Sequence, residues 1–567
     1  MPRRGSRIFW RRNSGVKPML EKLLRTVRTV RYMRPGQIVC RLRKMAGRPC
    51  SLGKGYRTAE TWKTEKIRLP EIPEELDFDP VFLERYPAEE FCRDRVTFLH
   101  VSEDVSWEKT WEFPKQTALW NYNLHYFDYL FPLIYAWRQT GKNHYFDKTR
   151  QMIAGWIRAN PREKGGCGWN PYPTALRLTN WLGYYTYCHT ALQKDEPFRR
   201  LLLDSLLEQY RHLSVHLEKD LLGNHYFEDL KTLVLCALFF SDAPVLERAL
   251  VLLKEQCRQQ ILPDGLHYEL SPMYHNIVLE DVMRVALALR GAGQQDSELE
   301  AVLPSMLDAA YSLEEGLDRL PLFNDGGNNA CKSLSALLAA AENHFGLQPR
   351  YRAAFPDSGY YVLKNGDVKV IIDAGRAGPD EIPGHAHCDA LSFECFVKGK
   401  PVWVNCGTYA YQDELRPFFR STLAHNTVKV EGTEQSECWG AFRLARRQQS
   451  RCLEATREKV VAEMTDQKGH TVRRTVMLTE KTLTVEDQAQ GCLLEAALHA
   501  APDFSVREEA GRLVLSDGSA VELPAPAVIT AVPYAPEYGQ KQECSQILYT
   551  GRERLRIRWS QRETVLS

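Results

Sequence analysis

Side chains able to move protons or hold an anion are concentrated in a few short strings of this 567-residue chain. Four lie in the first half: Trp120 to Phe127 (WNYNLHYF), Asn170 to Arg177 (NPYPTALR), Gly223 to Glu228 (GNHYFE) and Asp264 to His275 (DGLHYELSPMYH). Each opens a predicted helix, where free N–H groups and a partial positive charge favour anions. Rings beside anion-binding groups suit an acidic sugar polymer, whose apolar faces alternate with carboxylates. An isolated asparagine at such a place is ordinarily an N-cap, and an isolated ring is ordinarily core. Four clusters on one helical array point beyond that.

The second half supplies Gly384-His385-Ala386-His387-Cys388-Asp389, then Arg416, Arg420 and the string Ala424-His425-Asn426-Thr427-Val428. If extended, the first string projects His385, His387 and Asp389 from one face. An HxH pair with a distant third histidine suits a zinc site or acid–base chemistry; a satisfied polar cluster at a sheet edge is the plainer reading. The chain has no P-loop, no GxGxxG after a strand, no GxSxG elbow and no HExxH helix. No organic cofactor is expected.

The elements that must position these groups fall into two blocks. From about 116 to 350 the apolar spacing is helical, as in Leu203, Leu206, Leu207, Tyr210 and Leu213. Helices are expected at 123–139, 147–159, 174–192, 226–240, 244–260, 273–291, 300–315 and 332–345. Breakers such as Gly165-Gly166, Gly223-Asn224 and Gly326-Gly327 separate them. From 351 to 567 the period is two. Val368, Val370 and Ile372 alternate with lysine and isoleucine. Asp517-Gly518 joins Leu513–Leu515 to Val521–Leu523, and Glu480-Lys481 sits between two further hairpin arms. Helices then strands, in blocks, imply two domains of different class, α+β overall. Residues 61–115 read as a lead-in that wraps the larger body.

Residues 1–60 form a basic arm with 17 Lys/Arg and 2 Asp/Glu, against a net charge of only +2 for the chain. Leu20, Leu23, Leu24, Val27, Val30 and Tyr32 interleave the charges. That pattern suits an amphipathic helix on the main body, on a membrane surface or on a partner. The small net charge argues against a nucleic-acid partner, and no apolar run is long enough to cross a membrane. Fifteen cysteines, an odd number without a CxxC pair, favour reduced thiols. With no signal-peptide pattern, the expected location is cytoplasmic.

Together, the strings LWNYNLHYFDYL, GNHYFEDL, DGLHYELSPMYH, GHAHCDALSF and RSTLAHNTVKVEG resemble the heparinase II/III-like family of polysaccharide lyases. They follow the family's order from about residue 118 to 447. The resemblance implies an incomplete (α/α) toroid followed by an antiparallel β-sandwich, with an acidic polysaccharide bound between them. It implies β-elimination: the C5 proton of a uronic acid is removed and the 4-O-glycosidic bond breaks. Asn224 matches the neutralising asparagine, with His225 beside it, Tyr274 the catalytic tyrosine and His385 the catalytic histidine. Substrate contacts are expected from Trp120, Asn121, His125, Tyr126, Arg177, Glu228, His267, Glu269, Arg416 and Arg420, with the arginines as carboxylate clamps. The family's structural divalent ion, zinc or calcium, would lie among His387, Asn405 and His425, with Asn405 where the family has aspartate.

Three other readings share these residues. A uronyl C5-epimerase would use the same proton abstraction. A non-catalytic polysaccharide-binding or assembly protein would not need Asn224, Tyr274 and His385 together. An inverting glycoside hydrolase would need two opposed carboxylates, for which Glu228, Asp264 and Glu269 are candidates.

Overall fold

The computed structural model describes residues 16–561, apart from Lys54, Arg57, Ala59, Lys481, Ala510, Pro524 and Ala525, with side chains from Glu21 onward. The first fifteen residues of the basic arm, the side chain of Leu20 and the Lys481 half of one expected turn therefore lie outside it.

Helices Ala118–Tyr126, Pro171–Tyr187, Gly223–Phe239 and Pro272–Gly291 pack on one another in sequence as an inner row. Glu196–Val215, Ala243–Gln260 and Leu303–Glu314 lie against it from outside. In the inner position Gly223–Phe239 and Pro272–Gly291 are buried nearly all round, so their charged side chains, such as Glu228, Lys231 and Asp281, are paired in the interior. This is the incomplete (α/α) toroid. The single helix expected at 123–139 is two, Ala118–Tyr126 and Leu130–Thr140. The chain breaks at Phe127, which has φ +64° and a ring packed against Trp111 and Trp181.

The lead-in wraps the toroid. Its Glu74–Asp77 turn packs on the last toroid helix, Leu334–Phe345, and Asp77 takes a hydrogen bond from Arg284 at 2.6 Å. It also forms a hairpin, Arg95–Phe98 with Val101–Asp104, which the sequence pattern did not suggest.

From Ala354 onward strands dominate, and all ladder pairs are antiparallel. Two long strands, Thr482–Ala500 and Gln540–Ser560, pair along their length and carry the chain between the layers of the sandwich. The first half of Thr482–Ala500 pairs with Thr471–Thr479 and its second half with Val428–Val430. The irregularity between Gln488 and Leu493 lets it bend from one layer to the next. The Asp517-Gly518 hairpin forms as expected, with Leu513 opposite Val521.

Strand Val368–Asp373 departs from its period-two pattern because it is buried on both faces. Val368, Val370 and Ile372 face the sandwich core, whereas Ile371 joins Leu266, Leu270 and Phe323 of the helical half. Lys369 is buried with it. Its ammonium donates to the Glu315 carbonyl at 2.9 Å, and burial brings its pKa down to about 8. This apolar seam fixes the sandwich against the toroid, so residues from both can form one site.

The arm lies across both halves. Helix Val16–Val30 meets the sandwich through Arg25 and Arg28 on Glu437 and through Thr29, which accepts from the Trp439 indole at 3.0 Å. Helix Pro35–Met45 follows, with Arg34 on Glu381 and Lys44 on Asp220.

Candidate active site

Asn224 stands in the first turn of Gly223–Phe239, after two residues of positive φ, Leu222 and Gly223. Gly223 is required here, because a Cβ would meet Glu269 Oε1 at 2.2 Å. That closeness lets the Asn224 backbone N–H (2.9 Å) and side-chain amide (3.0 and 3.2 Å) all donate to the Glu269 carboxylate. His225 is half-buried in the same turn. Its Nδ1 lies 2.9 Å from Glu218, and its ring lies 4.4 Å from that of Tyr172. Burial opposes its cation, but Glu218 outweighs that, and the net shift of the His225 pKa is upward.

Tyr274 occupies the first turn of Pro272–Gly291, capped by the Ser271 hydroxyl. Its phenol is 2.6 Å from that of Tyr411, which is 2.8 Å from that of Tyr538. Burial, with Tyr538 and Asp325 nearby, raises the Tyr274 pKa well above the ordinary range, so the phenol is neutral at rest. The His385 ring packs on it with centroids 4.1 Å apart. His385 Nδ1 lies 3.0 Å from Asp325, and its Nε2 faces Glu269 at 3.5 Å.

Asp325 is the hub. Fully buried, it accepts from both terminal nitrogens of Arg416, from Thr408 at 3.1 Å, and from His385 and His387. Burial alone would raise this carboxyl. Arg416, then the two histidines, outweigh it and hold the group well below the usual range.

His387, Asp389 and His425 bring three ligand atoms within 4.8 Å of one another. The hydrogen bonds assign the tautomers. His425 Nδ1 faces the Ser421 carbonyl and must donate; His387 Nε2 faces Asp325 and must donate. Burial lowers both pKa values, that of His387 to about 3, so the rings are neutral. Two bare lone pairs, His387 Nδ1 and His425 Nε2, then face each other at 3.1 Å beside a carboxylate. That is a donor set for a cation, and two imidazoles suit zinc better than calcium. Asn405 is not part of it. Its amide donates to the Leu322 carbonyl and its Oδ1 accepts from the Asn426 N–H, tying strands together. The carboxylate comes from Asp389, two residues beyond His387.

Most of the expected substrate contacts are scaffold instead. Trp120 is buried and donates to the Val101 carbonyl; Asn121 staples the loop at Phe113. His125 takes the Trp156 indole N–H at 2.9 Å with no exposed surface, and His267 is spent on Gln260. Arg177 is wholly buried over Trp156, bonded to Gln209 and the His125 carbonyl. Arg420 donates to the carbonyls of Ala386, Gly440 and Ala441. Neither arginine is a clamp, and Arg416 acts on Asp325. Glu228 is neutralised inside the toroid by Lys231, which also bonds Asp281. Tyr126 is half-buried and edge-on to Tyr172, whose ring in turn meets that of His225. The structure thus gathers Asn224, His225, Glu269, Tyr274 and His385 at one place.

Sequence reasoning missed Asp325, Tyr411, Tyr538 and Glu218. Only Asp325 carried a signal: it directly precedes the Gly326-Gly327 breaker, between the last two toroid helices.

A helical toroid and an antiparallel sandwich sharing one amide–imidazole–phenol cluster define a two-domain toroid–sandwich protein. A crystal structure of heparinase III shares the fold, with a TM-score of 0.67 at 16% identity over 93% of this chain and 92% of that one. Residues 84–352 match the heparinase II/III N-terminus and residues 347–562 the heparinase II/III-like C-terminal domain, so the chain belongs to the heparinase II/III family. Its relatives include the heparin-sulfate lyase of Pedobacter heparinus, 22% identical over 59% of this chain and 55% of that protein. A second, the heparin-sulfate lyase of Bacteroides thetaiotaomicron, is 22% identical over 61% of this chain and 57% of its own length. The match spans little more than half of either relative.

Proposed function

We propose that the protein is a polysaccharide lyase that cleaves a uronate-containing polysaccharide by β-elimination. The observation that carries this reading is the pairing of Tyr274 with His385, rings 4.1 Å apart, beside the Asn224–His225 turn. A uronate carboxylate entering that turn exchanges with Glu269 for the Asn224 donors, and His225, whose cation Glu218 favours, stands beside it to offset its charge. Donors already in place as the C5 carbanion forms are worth several kcal/mol, on the order of 3 per group. His385 Nε2 takes the C5 proton, with Asp325 holding the ring through Nδ1. Tyr274, a neutral phenol, protonates the leaving oxygen, and Tyr411 and Tyr538 stand behind it to resupply the proton.

The same pairing favours elimination over C5 epimerisation. An epimerase removes a proton from one face of C5 and returns it to the other; two rings in contact address a single face. We also propose a structural zinc ion at His387, Asp389 and His425. Finally, we propose a cytoplasmic role in bacterial surface or exopolysaccharide metabolism, supported by the basic arm and the cysteine pattern. Purified protein should be screened on uronate polymers for the ultraviolet absorbance of a 4,5-unsaturated uronyl product. Turnover with solvent-proton exchange at C5 but no such absorbance would replace the lyase with the epimerase.

A further inference from the structure

The first arm helix is mounted with its polar side inward. The groups facing the body are Arg25, Arg28 and Thr29, bound to Glu437 and Trp439. Leu23, Leu24, Val27 and Val30 lie on the opposite side, and Leu23 and Val27 are 60% and 57% exposed. A helix that packs for stability does the reverse, turning its apolar stripe to the core. The second arm helix repeats the feature: Val39, Leu42 and Met45, spaced by three, are 55%, 59% and 84% exposed. Seven large apolar side chains on two consecutive helices thus face solvent.

The charges around them are one-sided. Lys22, Arg31, Arg41, Arg43 and Arg48 are exposed and pair with no carboxylate among the described residues, and Glu21 is the sole acid between residues 21 and 48. The sequence before the helices adds Arg3, Arg4, Arg7, Arg11 and Arg12 around Ile8-Phe9-Trp10, with no acid. Aliphatic side chains ringed by long basic ones match a bilayer interface carrying negative headgroups: the former enter the acyl boundary and the latter reach back to phosphate. An acidic polysaccharide would satisfy the charges but leave the leucines and valines in water. A second copy would cover the apolar face but bring its like charges against these.

We infer that the arm docks the protein on an anionic lipid surface, with Leu23, Leu24, Val27, Val30, Val39, Leu42 and Met45 inserted and the flanking Lys and Arg on the headgroups. Because α-helical polar contacts to Glu437 and Trp439 lie on the other side, docking needs no release of the arm from the body.

Flotation of the full chain with vesicles tests this. The protein should float with phosphatidylcholine vesicles containing a third phosphatidylglycerol and stay behind with pure phosphatidylcholine. Val27→Glu with Leu42→Glu should reduce partitioning by roughly tenfold or more while leaving the melting temperature unchanged, since both side chains are exposed. Arg41→Glu with Arg43→Glu should weaken binding and shift it to lower salt. No flotation with anionic vesicles at low salt overturns the inference. So does flotation insensitive to Val27→Glu and Leu42→Glu, which would be charge attraction alone. A concentration-dependent dimer abolished by those substitutions, without vesicle binding, would assign the face to a second copy.

Discussion

The hydroxyl of Tyr274, from the first turn of a toroid helix, lies 2.6 Å from that of Tyr411, from a loop of the sandwich 137 residues away. This bond joins the two halves at the atoms proposed to carry the proton. Tyr274→Phe keeps the ring against His385 and leaves Tyr411 bonded to Tyr538. The expected stability change is about 1 kcal/mol, while kcat falls by roughly 10²-fold or more. A large loss of melting temperature with kcat retained would make Tyr274 a packing residue.

Arg416 should behave as a support of the site rather than as a clamp on the substrate. It donates to both oxygens of buried Asp325, which in turn holds His385. Arg416→Lys keeps a charge but loses the two-pronged geometry, so kcat should fall with KM nearly unchanged. Asp325→Asn leaves a buried guanidinium unpaired and should cost about 3–5 kcal/mol in a denaturation experiment. A rise in KM alone on replacing Arg416 would restore the clamp.

Arg177 gives the contrasting outcome. With no exposed surface, and bonded to Gln209 and the His125 carbonyl, it can reach no substrate. Arg177→Ala should lower stability by at least roughly 2 kcal/mol through orphaned partners and lost packing. In the protein that remains folded, KM should match the parent.

The Glu218–His225 pair sets a pH dependence. His225 has its pKa raised in the folded state, the net of burial opposing and Glu218 favouring its cation. Its contribution to stability is therefore full below the ordinary histidine pKa and is lost as pH rises through the raised value. Glu218→Gln removes the favourable term. The His225 titration followed by NMR should move to lower pH, and the alkaline limb of kcat/KM should move with it. An unmoved titration would mean that Glu218 does not govern this histidine.

Zinc should bind and stabilise without joining the chemistry. Added to chelator-treated protein, it should raise the melting temperature, and His425→Ala or Asp389→Ala should abolish that gain. Asn405→Ala should lower stability but keep the zinc response, since its amide serves the Leu322 carbonyl and the Asn426 N–H. Loss of zinc with Asn405→Ala would return Asn405 to the ligand set.

The fold was legible because period and punctuation are local properties. The helical spacing around Leu203–Leu213 and the Asp517-Gly518 hairpin each specify an element by contacts within a few residues. The strings around Asn224, Tyr274 and His385 were legible for a related reason: each sits at a helix start or tight turn, where the sequence is constrained by both backbone and chemistry. The arginines and Trp120 misled because residue type does not report burial. A guanidinium spent on carbonyls, as in Arg420, reads the same in sequence as one waiting for a carboxylate.

The sequence by itself determined the order of helical and β blocks, the family, and the short strings that bear amide, imidazole and phenol groups. Only the tertiary structure decided which of these meet. Asp325 selects His385, His387 and Arg416 as partners across 60, 62 and 91 residues, and Tyr538 reaches Tyr411 across 127. The apolar seam through Ile371, Leu266 and Phe323 sets the halves at the distance that makes those bonds possible. Such a seam is the summed packing of many side chains from distant segments, and no local pattern encodes it. The outward face of the arm has the same origin: amphipathicity was visible in the spacing of Leu23, Val27 and Val30, but which side met the body depended on Glu437 and Trp439, more than four hundred residues away.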